Sequence, residues 1–109
     1  MKVVFLKSAE ADLKELRHYI VQNFGRDVWF KSYGKIKDSV AMIEAHPQMG
    51  RTPPELENLN IVQYRQVLSG MNRIIGEQRG DALYIHIVCD ARRELQGLLM
   101  KRIVTSSPY

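Results

Sequence analysis

The sequence predicts an α+β domain in the order β-α-α-β-β-β-α. A helical hairpin packs on a small, mainly antiparallel four-stranded sheet, and a further helix follows at the C-terminal end. Three observations predict this. Apolar residues recur at helical spacing in two successive stretches before residue 46. A segment with Pro47, Gly50, Pro53 and Pro54 then reads as a long loop over 46–60. Beyond it the apolar period falls to two, and two short turn signals divide three strands. Two helices covering one face of such a sheet make a two-layer domain.

Residues 2–7 are rich in Val and Phe and form the first strand. Ser8 is the expected N-cap of a helix over 8–24, in which Ala9, Leu13, Leu16, Ile20 and Phe24 share one face. Gly25 ends that helix in a left-handed cap. Asp27 is the expected N-cap of a second helix over 27–45, with Trp29, Tyr33, Ile36, Val40 and Ile43 as its stripe. So short a connection predicts an antiparallel helical hairpin. Strands follow at 61–68, 72–78 and 82–89, divided by Ser69-Gly70 and by the hairpin turn Arg79-Gly80-Asp81. The last strand places Leu83, Ile85, Ile87 and Cys89 on one face and Tyr84, His86 and Val88 on the other. Apolar residues on both faces predict a central strand. Residues 93–103 read as helix and 104–109 as a loose tail. The expected core is Leu13, Leu16, Ile20, Ile36, Val40, Ile85 and Ile87.

The 109 residues fit a single domain over 1–109, and 45% apolar content suffices for one core. No apolar run approaches the ~18 residues of a membrane-spanning helix, so no membrane association is expected. Met1 to Lys7 is too short for a signal-peptide core and reads as strand. The only cysteine, Cys89, excludes a disulfide framework, which makes the cytoplasm the expected location. The net charge of +4 is unevenly spread: residues 1–59 hold nine Lys/Arg against eight Asp/Glu, and residues 60–109 hold seven against four. Six of those seven are arginines: Arg65, Arg73, Arg79, Arg92, Arg93 and Arg102. Their planar donor forks suit phosphate and carboxylate, so a basic face of this kind meets RNA, DNA or an acidic protein, or is simply solvated.

Several local patterns then carry a resemblance. Ala9-Glu10-Ala11-Asp12-Leu13 with Tyr19-Ile20, His46-Pro47-Gln48-Met49-Gly50, Pro54-Glu55-Leu56 with Tyr64-Arg65, Asn72-Arg73-Ile74-Ile75, and Ile85-His86-Ile87-Val88 with Arg92-Arg93 occur in this order. Order and spacing together resemble the RelE/ParE toxin family of type II toxin–antitoxin systems, over residues 3 to about 103, although no one motif is specific. The resemblance implies one fold with two activities. RelE-like members cleave mRNA in the ribosomal A site. ParE-like members bind DNA gyrase and trap its cleaved-DNA state. Both are silenced by a cognate antitoxin that wraps the toxin as a hetero-oligomer. Growth arrest and plasmid maintenance are the associated roles, and no cofactor is implied. Fold alone does not choose between the two activities.

A ribonuclease of this kind needs cations at the phosphate and a convergent acid–base pair. Arg65 and Arg73 on neighbouring strands, with Arg92 or Arg93 after the last, match the arginines of RelE-like enzymes. The tyrosine or histidine that such enzymes carry on or after the last helix has no counterpart: Gln96 stands nearest, and an amide is neither acid nor base. Lysines that RelE-like members often have in the 51–64 approach are also missing. A nuclease would therefore have to draw on Arg65, Arg73, His86, Arg92 and Tyr109. The balance favours a ParE-like, gyrase-directed toxin in which Arg65, Arg73, Arg92 and Arg93 bind target or antitoxin and no residue is catalytic. His86 reads as a packed or surface strand residue, Cys89 as a small buried apolar one, and Trp29 and Tyr33 as core. Met71 and Met100 suit a partner surface or core filling equally. No two histidines have zinc-ligand spacing, so no metal is expected.

Overall fold

A computed structural model describes residues 1–59, 63–91 and 101–102. The elements are β1 (Lys2–Phe5), α1 (Lys7–Phe24), α2 (Arg26–Ala45), a 3-10 turn at Pro54–Leu59, β2 (Tyr64–Ser69), β3 (Asn72–Arg79) and β4 (Ala82–Asp90). The sheet runs β1-β4-β3-β2, with β1 parallel to β4 and the other pairs antiparallel. β4 is thus internal, as its two apolar faces predict. The loops Gly70-Met71 and Gly80-Asp81 close the two hairpins. Of the expected C-terminal helix, only Lys101 and Arg102 lie within the described residues, and both are helical. Residues 61 and 62 of the expected second strand, and the tail 104–109, lie outside them.

Both helices start one residue earlier than expected, and neither expected cap is used. α1 follows extended Leu6, and its first turn has no side-chain cap. The Ser8 hydroxyl instead donates to the carbonyl of His86 at 3.2 Å, a tertiary contact that local sequence does not encode. α2 follows Gly25 directly, and Asp27 sits inside its first turn, where its charge still favours the positive end of the helix dipole. Gly25 is the whole connection. Its φ of 95° lets its N–H reach the carbonyls of Ile20 and Val21 while its own carbonyl accepts from Trp29. A side chain would strain that backbone.

The two faces of the sheet carry separate cores. On the helix side, Ala9, Ile36 and Ile43 meet Val67, Ile74, Leu83, Ile85 and Val88. On the other side, Leu56 of the 3-10 turn covers Tyr64, Ile75, Ile87 and Cys89. This corrects the expected alternation in β4. The register passes from Ile75↔Ile87 to Gly76↔Ile85, which leaves His86 as an inserted residue. Such a bulge moves every later side chain to the opposite face. Ile87 and Cys89 therefore leave the face of Leu83 and Ile85, and Val88 joins it. Ile20, Ile36, Ile85 and Ile87 are buried as expected. Leu13, Leu16 and Val40 are only half-buried: Leu13 and Leu16 pack against the helix-side core, and Leu13 and Val40 line a surface groove that leaves them partly open.

Gly76 lies where the helix-side core is tightest. A Cβ built there would stand 2.8 Å from Cγ of Leu83 and 3.1 Å from Cδ1 of Ile85. Gly76→Ala should therefore destabilise the domain by about 1–3 kcal/mol through overpacking. Urea denaturation checks this, and an unchanged midpoint would mean that Leu83 has room to move aside.

Candidate functional site

Arg65 and Arg73 stand on adjacent strands, as expected, but they serve opposite faces of the sheet. β2 places Arg65 on the helix side with Val67, whereas β3 places Arg73 on the other side with Ile75. Arg65 donates through Nη1 to the carbonyls of Pro47 at 2.7 Å and Met49 at 3.4 Å. It thereby fastens the loop after α2 to the sheet, beside the Arg51–Gln66 backbone bridge. Arg73 is 5% exposed and forms a two-pronged ion pair with Glu55, Nη1 to Oε2 at 2.8 Å and Nη2 to Oε1 at 2.7 Å. Its Nε and Nη2 also donate to Oε1 of Gln66. The guanidinium beside Glu55 holds that carboxyl below its ordinary value. Both arginines thus hold loops in place: Arg65 the 46–51 segment, Arg73 the 3-10 turn.

A second group lies further along the same non-helical face. Oε1 of Glu77 accepts from Nη2 of Arg79 at 2.8 Å and stands 3.1 Å from Nε2 of His86. The Tyr64 ring leans against the imidazole at 5.7 Å, and the Arg79 guanidinium lies 5.5 Å from the centre of the Tyr84 ring. Burial pushes the Tyr64 hydroxyl up to about 12, and the Glu77 carboxylate adds to the shift. Burial also pushes His86 below its ordinary value, against the smaller pull of Glu77. A neutral imidazole facing a carboxylate carries its proton on Nε2. That leaves Nδ1 as a bare acceptor, and it has no hydrogen-bond partner among the described residues. His86 is fully buried, so this group can order the face but cannot reach a reacting atom as it stands. Sequence reading missed Glu77 and Tyr64, because an acidic residue on a strand ordinarily reads as solvent-facing.

The bulge is held from the helix side. Asp12 accepts the backbone N–H of Val88 at 3.1 Å and pairs with Arg102 through both oxygens, at 2.7 and 3.0 Å. Arg102 also donates to the carbonyl of His86 at 2.8 Å. The backbone groups that the bulge removes from the ladder thus find partners in Ser8, Asp12 and Arg102. Arg92, Arg93, Gln96, Met100 and Tyr109 lie outside the described residues. Cys89 is buried in the second core, and Met71 is exposed on its hairpin. Among the described residues, no group of three or more His, Cys, Asp or Glu is placed to hold a metal.

Two measurements test this site. Removing the partner of a buried charge is costly, so Glu55→Ala should cost about 3 kcal/mol, at the low end of such effects because Glu55 keeps some solvent contact. A loss under ~1 kcal/mol in chemical denaturation would show that the pair contributes only what surface pairs do. The His86 shift sets a separate pH window. The unfolded chain takes up a proton near pH ~6.5 that the folded chain refuses. Stability should therefore be complete above about pH 7 and fall as pH drops through ~6.5. Glu55, with its depressed pKa, contributes stability that is complete above the ordinary carboxylate value of 4.5 and is lost only as pH falls below it, outside the His86 window. His86→Gln should flatten the upper window, and an unchanged slope in this variant would contradict the assignment.

A family model described as "ParE toxin of type II toxin-antitoxin system, parDE" matches residues 3–93. Among solved structures, the chain is similar to one from the chromosomal ParDE TA system of P. aeruginosa, with a TM-score of 0.68 and 17% identity, over 84% of this chain and 97% of that one. It is also similar to the isolated E. coli RelE toxin, with a TM-score of 0.55 and 13% identity, over 94% of this chain and 97% of that one. At these identities the two likenesses concern the fold alone. Among curated proteins no match was found.

Proposed function

Since the chain belongs to the ParE toxin family of type II toxin–antitoxin systems, we propose that it arrests growth by binding DNA gyrase and stabilising its cleaved-DNA state, and that a cognate antitoxin neutralises it. The observation that carries this reading is the disposition of Arg65, Arg73 and His86. The two arginines face opposite sides of the sheet, each engaged by groups of the chain itself, and the histidine is sealed in the interior. Of the groups a nuclease would draw on, these three do not converge on one exposed surface. Positioned proton transfer is worth roughly 10²–10⁴-fold, so an RNA-cleaving enzyme assembled from these groups would be slow. Binding asks less of them. Arginines stay protonated near neutral pH and grip phosphate or carboxylate well. Arg92 and Arg93 are the proposed contacts to target or antitoxin, with the exposed side chains of Leu68 and Met71.

The ribosome-dependent mRNA interferase is the second reading. What favours it is the Glu77–His86 pair next to Tyr64, since imidazole, carboxylate and phenol are the groups such an enzyme would use. It requires the face to open so that His86 meets substrate.

One comparison separates the two. The purified chain is given gyrase with supercoiled DNA, and in parallel translating ribosomes with a defined mRNA. Protein-linked cleaved DNA should accumulate in the first reaction, and primer extension in the second should show no new ends. Arg92→Ala and Arg93→Ala should weaken toxicity in a graded way, each by less than the double variant. Tyr109→Phe should leave it unchanged. Ribosome-dependent cuts that vanish with Tyr109→Phe would replace the gyrase reading with the nuclease.

A further inference from the structure

His86 is held differently through its backbone and through its side chain. Its carbonyl accepts from the Ser8 hydroxyl at 3.2 Å and from Nη1 of Arg102 at 2.8 Å. The same guanidinium grips both oxygens of Asp12, at 2.7 and 3.0 Å, and Asp12 in turn accepts the Val88 N–H at 3.1 Å. The imidazole is fully buried, reaches Glu77 through Nε2 at 3.1 Å, and leaves Nδ1 without a hydrogen-bond partner among the described residues. A buried polar atom so placed forfeits its hydration and gains nothing in return. Water outside would satisfy it. The ring is therefore not held by its own contacts alone, and Glu77 shares the contacting oxygen with Arg79.

What fixes the residue is its backbone, and the backbone depends on Arg102. The Asp12 side chain is only 11% exposed, so without Arg102 it would be a nearly buried charge whose cation is gone. A carboxylate stripped of its cation turns to water rather than stay buried. The Val88 N–H then loses its acceptor, and the Ser8 hydroxyl holds the His86 carbonyl by the longest of these contacts. Loss of one side chain thus loosens the bulge at two backbone groups. Two further features make its opening feasible. An inserted residue can be re-aimed without slipping the register on either side of it. Glu77 keeps Arg79 when His86 leaves, so opening strands no carboxylate.

We propose that Arg102 is a positioning residue that latches the non-helical face shut. While its guanidinium bridges Asp12 and the His86 carbonyl, the Glu77–His86–Tyr64 group stays sealed. When the turn at Lys101 and Arg102 withdraws, His86 swings out to solvent. The bulge is then a two-state element, biased by a contact on the far side of the sheet from the group it controls. The Arg102 side chain is 20% exposed, so the latch is within reach of solvent. The groups that face the imidazole are Glu77 and Arg79 of β3 and Tyr64 of β2, with Ser8, Asp12 and Arg102 behind its backbone. The inference concerns how the face opens and not what it meets, so it is independent of whether gyrase or the ribosome is the target.

The test uses the full chain with Arg102→Gln or Asp12→Asn, read by proton NMR of the imidazoles and by amide hydrogen exchange. In the parent, His86 should take up its proton below its ordinary value: burial above all holds it there, and the Arg102 charge adds least. In both variants it should titrate closer to the ordinary ~6.5 of an imidazole in water. Asp12→Asn is the sharper of the two. It removes a negative charge, which by itself can only lower His86, whereas unlatching raises it. His18 and His46, both exposed, serve as references in the same spectra. In Arg102→Gln the Val88 amide should gain at least about tenfold more in exchange rate than the amides of the β2–β3 ladder. The latch is overturned if His86 in Asp12→Asn titrates at or below the parent, or if Val88 accelerates no more than that ladder. If neither variant folds, the parent decides alone. Its Val88 amide should exchange through a local opening, at a rate that low urea leaves unchanged, and exchange by global unfolding only would overturn the proposal.

Discussion

One inserted residue in β4 sets the arrangement of everything around it. The bulge at His86 turns Ile87 and Cys89 away from the helices and brings Val88 toward them. Without it the second face would lose Ile87 and Cys89 from the apolar group that Leu56 and the 3-10 turn cover. A bulge removes backbone groups from the ladder, and an unpaired buried backbone group costs free energy comparable to a lost hydrogen bond. Here Ser8, Asp12 and Arg102 satisfy those groups from the helix side, while Glu77 engages the inserted side chain from the other. The chain thus spends residues from three parts of its length on one irregularity, which ties the start of α1 to the central strand and to the helical turn at Lys101 and Arg102.

The periodic part of this architecture was legible in the sequence. Helical spacing located α1 and α2 to within one residue, and period-two stretches located β2, β3 and β4. The apolar character of both faces of β4 placed it inside the sheet. What periodicity misses is a break in itself. A bulge adds one residue without changing composition, so Leu83, Ile85, Ile87 and Cys89 looked like one face. The caps failed for a related reason. Ser8 and Asp27 are good capping residues locally, but Ser8 is recruited by a carbonyl 78 residues away, and Gly25 leaves no loop ahead of α2.

The arginines show how far charge alone can be read. Arg65 and Arg73 were singled out because they sit on neighbouring strands, and they do. Their opposite facing follows from strand alternation. Their engagement with the Pro47 carbonyl and with Glu55 depends on how two loops return to the sheet. Asp12, quoted only within a motif, and Glu77 were given no role because acidic residues on amphipathic elements are ordinarily solvated. Here each is a hub for several donors, and only the packed structure makes that visible.

Gly25 has a further consequence for assembly. A hairpin reversed on one residue has no slack: the direction of α2 depends on a single backbone dihedral held in the left-handed region. If that residue took up ordinary helical angles, α1 and α2 would run on as one rod of about 39 residues, close to 58 Å long. Ile36 and Ile43 would leave their own sheet, and the nearest equivalent site would be the uncovered sheet of another chain. Closed monomer and exchanged dimer would then share every core contact and differ at one joint. The single residue at the turn of the hairpin therefore keeps Ile36 and Ile43 on the sheet of their own chain.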